Sequence, residues 1–242
     1  MSWIAGVDGC RTGWCVVLTP VDALHQARLQ LCPCFADILT LPEAPVIIAV
    51  DMPIGLPDHV GPGGRAPETH VRPLLGARQS SVFSVPSRRA VMEEDYRTAC
   101  QVALETSDPP RKIAKQTFNL FPKIREIDRL MTPDLEARVF ECHPEVAFWA
   151  LNGEAPIPLP KKIKSRSNPD GLAMRADLLE RAGFPARDIM TRRKDLPGIG
   201  ADDALDATVC AWSARRILDG IAHCFPPDPP RDGKQLRQAI WA

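Results

Sequence analysis

The stretch Ile4-Ala5-Gly6-Val7-Asp8-Gly9-Cys10-Arg11-Thr12-Gly13-Trp14-Cys15-Val16-Val17-Leu18 decides the fold. Ile4 to Val7 is a short apolar run that delivers one acid, Asp8, and Trp14 to Leu18 reads as a second strand after a glycine-bearing turn. Two β-like runs joined by such a turn make a hairpin. A carboxylate at the end of a buried strand is unfavourable unless a metal, a partner or water satisfies it. Asp8 is therefore either the polar cap of its own Asp-Gly turn or one member of a site that the rest of the chain supplies.

Outward from the hairpin, Arg28–Cys32 alternates as a third, half-buried strand, and Phe35, Ile38 and Leu39 have the spacing of a short helix that Pro42 and Pro45 end. Val46–Val50 is continuously apolar, as a central strand buried on both faces should be, and it too ends in an acid, Asp51. Ala137–Phe140 reads as another strand and runs into Glu141. Between these two strands lie a loop-like stretch over residues 57 to 73 and an Arg- and Ser-rich segment with Arg78, Ser80, Ser81 and Arg88. Helices are predicted over Glu94–Glu105 and Lys112–Met131, the second kinked or divided at Pro122.

Beyond Glu141, Val146–Leu151 reads as a helical turn, and residues 156 to 169 form a basic, proline-broken loop with Lys161, Lys162, Lys164 and Arg166. A helix over Gly171–Ala182, capped by Asn168 or Asp170, ends at Gly183. A long helix runs from near Asp202, its expected N-cap, to about Leu218, and Lys234–Trp241 either pairs with an edge or packs. This order predicts an α/β fold in one domain over residues 1–242, with one mixed central sheet and an insert of helices and loops at about 57–135.

Composition narrows the function classes. Lys plus Arg equals Asp plus Glu, 30 against 30, so no global field draws the chain to nucleic acid or to an anionic membrane, and any polyanion contact must come from a local patch. No apolar stretch approaches the roughly 20 residues of a membrane span. No secretory signal is visible, because Asp8 and Arg11 interrupt the first apolar run, which points to a cytoplasmic protein with reduced thiols. None of the eight cysteines has CxxC spacing, and they read as small buried hydrophobes. Cys142 beside His143 is no nucleophile–base pair, because adjacent strand residues point to opposite faces. His143 is either a general base or a histidine bonded to backbone.

Asp8, Asp51 and Glu141 each stand at the C-terminal end of a predicted strand, where ligands of open α/β sheets bind. On the last helix, Asp203 and Asp206 are three residues apart and share a face. Several carboxylates brought together repel one another unless a cation intervenes, and hard oxygen ligands suit Mg²⁺ or Mn²⁺. Arg11, Arg78, Arg88, Lys162, Lys164 and Arg175 are the basic residues placed to grip phosphates, or they are solvated surface charges.

Four segments, Gly6-Val7-Asp8-Gly9-Cys10-Arg11-x-Gly13-Trp14, Val50-Asp51-Met52-Pro53-Ile54-Gly55-Leu56, Glu141-Cys142-His143-Pro144-Glu145 and Asp202-Asp203-x-Leu205-Asp206-Ala207, together resemble the domain-of-unknown-function 429 family. Its members are regarded as predicted nucleases of the ribonuclease H-like superfamily. The resemblance implies a five-stranded mixed sheet, three strands antiparallel and two parallel, with helices on both faces. It implies catalytic acids on the first strand, the fourth strand and the late helix: Asp8, Asp51, and Asp203 with Asp206, with Glu141 on the fifth strand less standard. Gln116 and Glu145 also resemble family positions.

The resulting expectation is a Mg²⁺- or Mn²⁺-dependent phosphodiester hydrolase acting on nucleic acid. Asp8, Asp51, Asp203 and Asp206 would ligate the metal, and Glu141 would complete the catalytic set. An ATP-dependent phosphotransferase sharing the superfamily core, or a non-catalytic binding protein retaining the fold, are the alternatives. The sequence leaves a homo-oligomer open.

Overall fold

The structure is a computed structural model that describes residues 1–164 and 166–242. Its centre is a five-stranded sheet in the order β3-β2-β1-β4-β5, formed by β1 (Trp3–Cys10), β2 (Gly13–Pro20), β3 (Arg28–Cys32), β4 (Ile47–Val50) and β5 (Val139–Glu141). β1 pairs antiparallel with β2, and β2 with β3, whereas β4 runs parallel to both β1 and β5. The fold is the expected α/β arrangement with a mixed sheet flanked by helices, and its strand order is the one that the ribonuclease H-like resemblance implies.

Helix α1 (Phe35–Leu39) follows β3. Between β4 and β5 come α2 (Ala66–Val71), a 3₁₀ stretch over Arg72–Ser81, α3 (Arg88–Met92), α4 (Tyr96–Glu105), α5 (Lys115–Phe118) and α6 (Phe121–Leu130). The helix expected over Lys112–Met131 is thus two helices. The break falls at Asn119–Leu120, so that Pro122 sits in the first turn of α6, where a missing N–H removes no helical bond. After β5, α7 (Pro144–Leu151), α8 (Pro169–Arg181), α9 (Ala186–Arg192) and α10 (Ala201–Leu218) follow. Two short ribbons complete the set: β6 (Lys162–Ile163) with β7 (Arg166–Ser167), and β8 (Cys224–Phe225) with β9 (Ile240–Trp241). The C-terminal segment therefore pairs, and Trp241 also bridges Cys142 beside β5.

Alternation along the strands splits the core in two. Ile4, Cys15, Val17, Ala49, Phe140 and Cys142 pack on the α10 side, and Ala5, Val7, Val16, Val50 and Val139 pack on the side of α1, α4 and α6. On the α10 side contact is close. A Cβ on Gly6 would stand 2.0 Å from both the Ala207 carbonyl oxygen and the Ala211 nitrogen, so only glycine lets α10 lie directly on β1. That contact puts the first turns of α10 beside Asp8. Among the described residues, no helix is long and apolar enough to cross a membrane.

Candidate metal centre

Strand register decides which acids meet. Val7 pairs with Val50, and Val50 with Glu141, in one row across the three parallel strands. Asp8 and Asp51 each stand one residue further along, so both side chains fall on the α10 side, and the Asp51 N–H donates to the Val7 carbonyl at 2.9 Å. α10, held down at Gly6, brings Asp206 to the same place. Carboxylate oxygens of Asp8, Asp51 and Asp206 lie within 4.8 Å of one another, the spacing of a site that can hold a metal ion. Asp8 and Asp206 are buried and Asp51 is half-buried.

Glu141 does not join them. In register with Val7 and Val50, it points to the other side of the sheet and meets the buried Arg65, which donates to its Oε1 at 2.6 Å and its Oε2 at 3.0 Å. Glu141 Oε2 also accepts the Ile54 N–H at 2.7 Å. Arg65 further binds Glu68 and the carbonyls of Ile54 and Gly55, so this cluster fastens the loop that follows Asp51. In this arrangement Glu141 supports that loop and stands apart from the three aspartates.

Asp203 stands outside the triad. Its Oδ2 accepts the Gly200 N–H at 2.8 Å, closing the first turn of α10, while the triad is made by Asp8, Asp51 and Asp206. Gly200, not Asp202, is the N-cap residue. Asp202 instead pairs with Lys162 Nζ at 2.5 Å.

The basic residues divide the same way. Arg175 is wholly buried and donates to both oxygens of Glu145, at 2.8 and 2.9 Å, and to the Leu159 and Gly171 carbonyls. Arg88 pairs with Asp128 at 3.0 Å and Asp232 at 2.5 Å. Both guanidiniums are engaged by carboxylates of the chain itself. Arg11, Lys162 and Lys164 are exposed. Arg78 lines a recess of about 310 Å³ with Ser80, Ser81, Glu145, Lys161 and Lys162. Ser81 also lines an adjoining cleft of about 400 Å³ with Asp8, Asp51, Phe83, Lys123 and His143. The two openings share Ser81.

Two lysines at these openings were not among the expected site residues. Lys161 Nζ donates to Asp206 Oδ2 at 2.5 Å and lies 3.7 Å from Glu145 Oε1. Lys123, from α6, donates to the Gly13 carbonyl at 2.5 Å with its ammonium 4.3 Å from the centre of the Trp14 ring. The basic loop around Lys161 is visible in the sequence, but which of its cations turns inward is set by the tertiary fold. His143 has Nε2 3.4 Å from the Ser81 carbonyl, and Nδ1 is buried without a partner. His143 thus lines the cleft beside the triad with one ring nitrogen near a backbone carbonyl. Cys142 is buried, as a small hydrophobe would be.

Electrostatics follow from the crowding. Burial, then the carboxylates of Asp51, Asp206 and Asp203, hold the Asp8 carboxyl well above its ordinary range. Burial and Asp206 push Asp51 up to about 8, with Lys161 pulling the other way. Burial lifts Asp206 to about 6 against the opposing pull of Lys161. Burial disfavours the Lys161 ammonium, but the fields of Asp206, Glu145 and Asp51 outweigh it and raise its pKa above the ordinary lysine value. With Lys161 on Oδ2, the other oxygen of Asp206, Oδ1, is buried and has no hydrogen-bond partner. A buried carboxylate oxygen left in this state, beside two more acids, fits a hard divalent cation.

A family described as "Protein of unknown function (DUF429)" matches residues 6–231. No curated protein and no solved structure matches the chain.

Proposed function

The chain belongs to the DUF429 family, and we propose that it is a divalent-metal-dependent phosphodiester hydrolase acting on nucleic acid. The carrying observation is the Asp8–Asp51–Asp206 triad, within 4.8 Å, with the unpartnered Asp206 Oδ1 buried beside it. Mg²⁺ or Mn²⁺ is the metal that this all-oxygen donor set suits. When bound, such an ion lowers the pKa of a water ligand and stabilises charge on a reacting phosphate.

The chain's own residues do the rest. Asp8, Asp51 and Asp206 hold the ion from three elements, β1, the end of β4 and α10, that the sheet register and the Gly6 contact fix relative to one another. Lys161 orients Asp206 by holding Oδ2. Glu141 and Arg65 keep the loop after Asp51 in place from the far side of the sheet. Lys123 at one opening, and Arg78 and Lys162 at the other, present donors along the approach for the phosphates flanking the scissile bond. The balanced net charge confines this attraction to the cleft, so binding is local and weak at high salt.

Single-stranded, duplex and branched DNA and RNA, each incubated with Mg²⁺, Mn²⁺ or EDTA, test the proposal. Cleavage of at least one substrate, abolished by EDTA and by Asp8→Asn, is the expected result. If no substrate is cut, or if Asp8→Asn cuts as well as the wild type, the reading is lost.

A further inference from the structure

Two-ion phosphodiester sites hold cations about 3.5–4 Å apart and clamp both the attacking and the leaving oxygen between them. In this site an ammonium stands beside the triad. Asp206 accepts from Lys161 Nζ at 2.5 Å on Oδ2 and keeps a buried, unpartnered Oδ1, and the same ammonium lies 3.7 Å from Glu145 Oε1. Glu145 is held in turn by both of its oxygens on the wholly buried Arg175. Lys161 is therefore braced between two fixed carboxylates and is not a free surface cation.

Charge counting points the same way. The carboxylates of Asp8, Asp51, Asp206 and Glu145 face the two cations Lys161 and Arg175, which leaves two negative charges, the charge of one divalent ion. Around them, Asp202 pairs with Lys162, the half-buried Asp203 and Lys123 carry one charge of each sign, and the one negative charge by which Glu141 and Glu68 exceed Arg65 is matched by Arg78 in the recess, so the count is unchanged. A second divalent ion would leave the pocket with excess positive charge and would have to displace a bonded ammonium. Buried charge without a counter-charge is strongly disfavoured.

We propose that the site takes one divalent ion, between Asp8, Asp51 and Asp206, and that Lys161, fixed between Asp206 and Glu145, stands where a two-ion site would carry its second cation. The inference rests on the phosphodiesterase reading above for its chemistry, in which the ammonium neutralises charge on a phosphate entering from the recess that Lys161 lines with Arg78 and Lys162. The ion count itself depends only on the geometry.

Calorimetric titration of the full chain with Mn²⁺, with bound ion cross-checked by electron paramagnetic resonance, tests it. The wild type is expected to bind one ion per chain. Lys161→Met, which keeps the side chain's length and removes its charge, is expected to bind two, and Lys161→Arg to stay at one. A wild-type count other than one overturns the proposal, as does a folded Lys161→Met that still binds a single ion. If circular dichroism shows Lys161→Met unfolded, the wild-type count and Lys161→Arg decide. Absence of cleavage on every nucleic acid, with one ion bound, sinks the reading of the reaction and leaves the ion count standing.

Discussion

Two acidic clusters sit back to back at one edge of the central sheet, and they are built oppositely. On the α1 and α6 side, Glu141 and Glu68 close around the buried Arg65, which also takes the Ile54 and Gly55 carbonyls, so its donors and the acids' oxygens have partners. On the α10 side, Asp8, Asp51 and Asp206 share the single ammonium of Lys161, and Asp206 Oδ1 has none. Each cluster joins acids at the ends of parallel strands to one acid from a helix, and one residue of register separates Glu141 from Asp8 and Asp51. The difference teaches that acidity at a strand end does not mark a site. Uncompensated acidity does, because a folded chain tolerates it only where something else supplies the charge.

The largest effect should come from breaking the closed cluster. Arg65→Met leaves Glu141 and Glu68 buried without their cation, and removal of one partner of a buried pair costs roughly 3–5 kcal/mol. Denaturant unfolding should show this loss whether or not metal is present. An Arg65→Met protein that unfolds at the wild-type denaturant concentration would mean that the cluster does not brace the fold.

The open cluster should respond in the reverse sense. Asp8→Asn is expected to weaken Mn²⁺ binding by more than about 100-fold, beyond what loss of a residue merely orienting a ligand costs. The same variant should make the metal-free protein more stable at pH 8, since it removes a carboxyl that burial and neighbouring acids hold well above its ordinary pKa. Thermal melting with EDTA checks the second half. If Asp8→Asn melts lower than the wild type under those conditions, Asp8 is a structural acid and the contrast between the two clusters fails.

pH gives a test of the open cluster through Asp51, since burial also lifts Glu141 of the closed cluster to about 7 against the pull of Arg65. A carboxyl whose folded pKa lies above its unfolded value binds protons more tightly in the folded chain, so it favours folding at low pH and loses that contribution as pH rises through the folded pKa. For Asp206 and Asp51 the ordinary value is 3.8 and the folded values are about 6 and about 8. Their contribution to metal-free stability is therefore full below about pH 4 and falls away up to about pH 8. The melting temperature of the wild type relative to Asp51→Asn should drop between those limits by on the order of 5 °C, and saturating Mg²⁺ or Mn²⁺ should restore most of it. A pH-independent difference between the two proteins would show that the acids are not uncompensated.

How much of this contrast the sequence reveals depends on which physical signal carries it. The strands are legible because each is a short apolar run ending in an acid or a turn, and the mixed order follows from a hairpin followed by crossover segments. Asp8, Asp51 and Asp206 are legible as a set of acids at element ends. What separates Glu141 from them is not, because a one-residue difference in register reverses the face a side chain points to, and register is fixed by pairing that no single segment encodes. Arg65 lies in a glycine-rich loop where nothing local marks it as buried. Lys161 is one of three lysines within four residues, and only the packing of α8 and α10 selects it over Lys162 and Lys164. Gly6 is visible as a glycine within a strand, a sign of close backbone approach, but the helix that approaches is about 200 residues away along the chain.

The smallest effect tests whether the open side is open toward a substrate. Lys162 is exposed and pairs with Asp202 at the mouth of the recess, at 2.5 Å. Exposed ion pairs contribute little to folding, so Lys162→Ala should leave the melting temperature within about 2 °C of wild type. Its role on the proposed reading is to meet a phosphate, which releases a counterion from the nucleic acid. Binding to catalytically silent protein (Asp8→Asn, Ca²⁺ present) should then weaken across all sequences, and the slope of log affinity against log salt should become shallower by about one. The corresponding change at Arg175, which is bonded to Glu145 and closed off from the recess, would lower stability through its unpaired partner instead. An unchanged salt slope in Lys162→Ala would place the path of the nucleic acid on the Lys123 side of the triad, away from the recess.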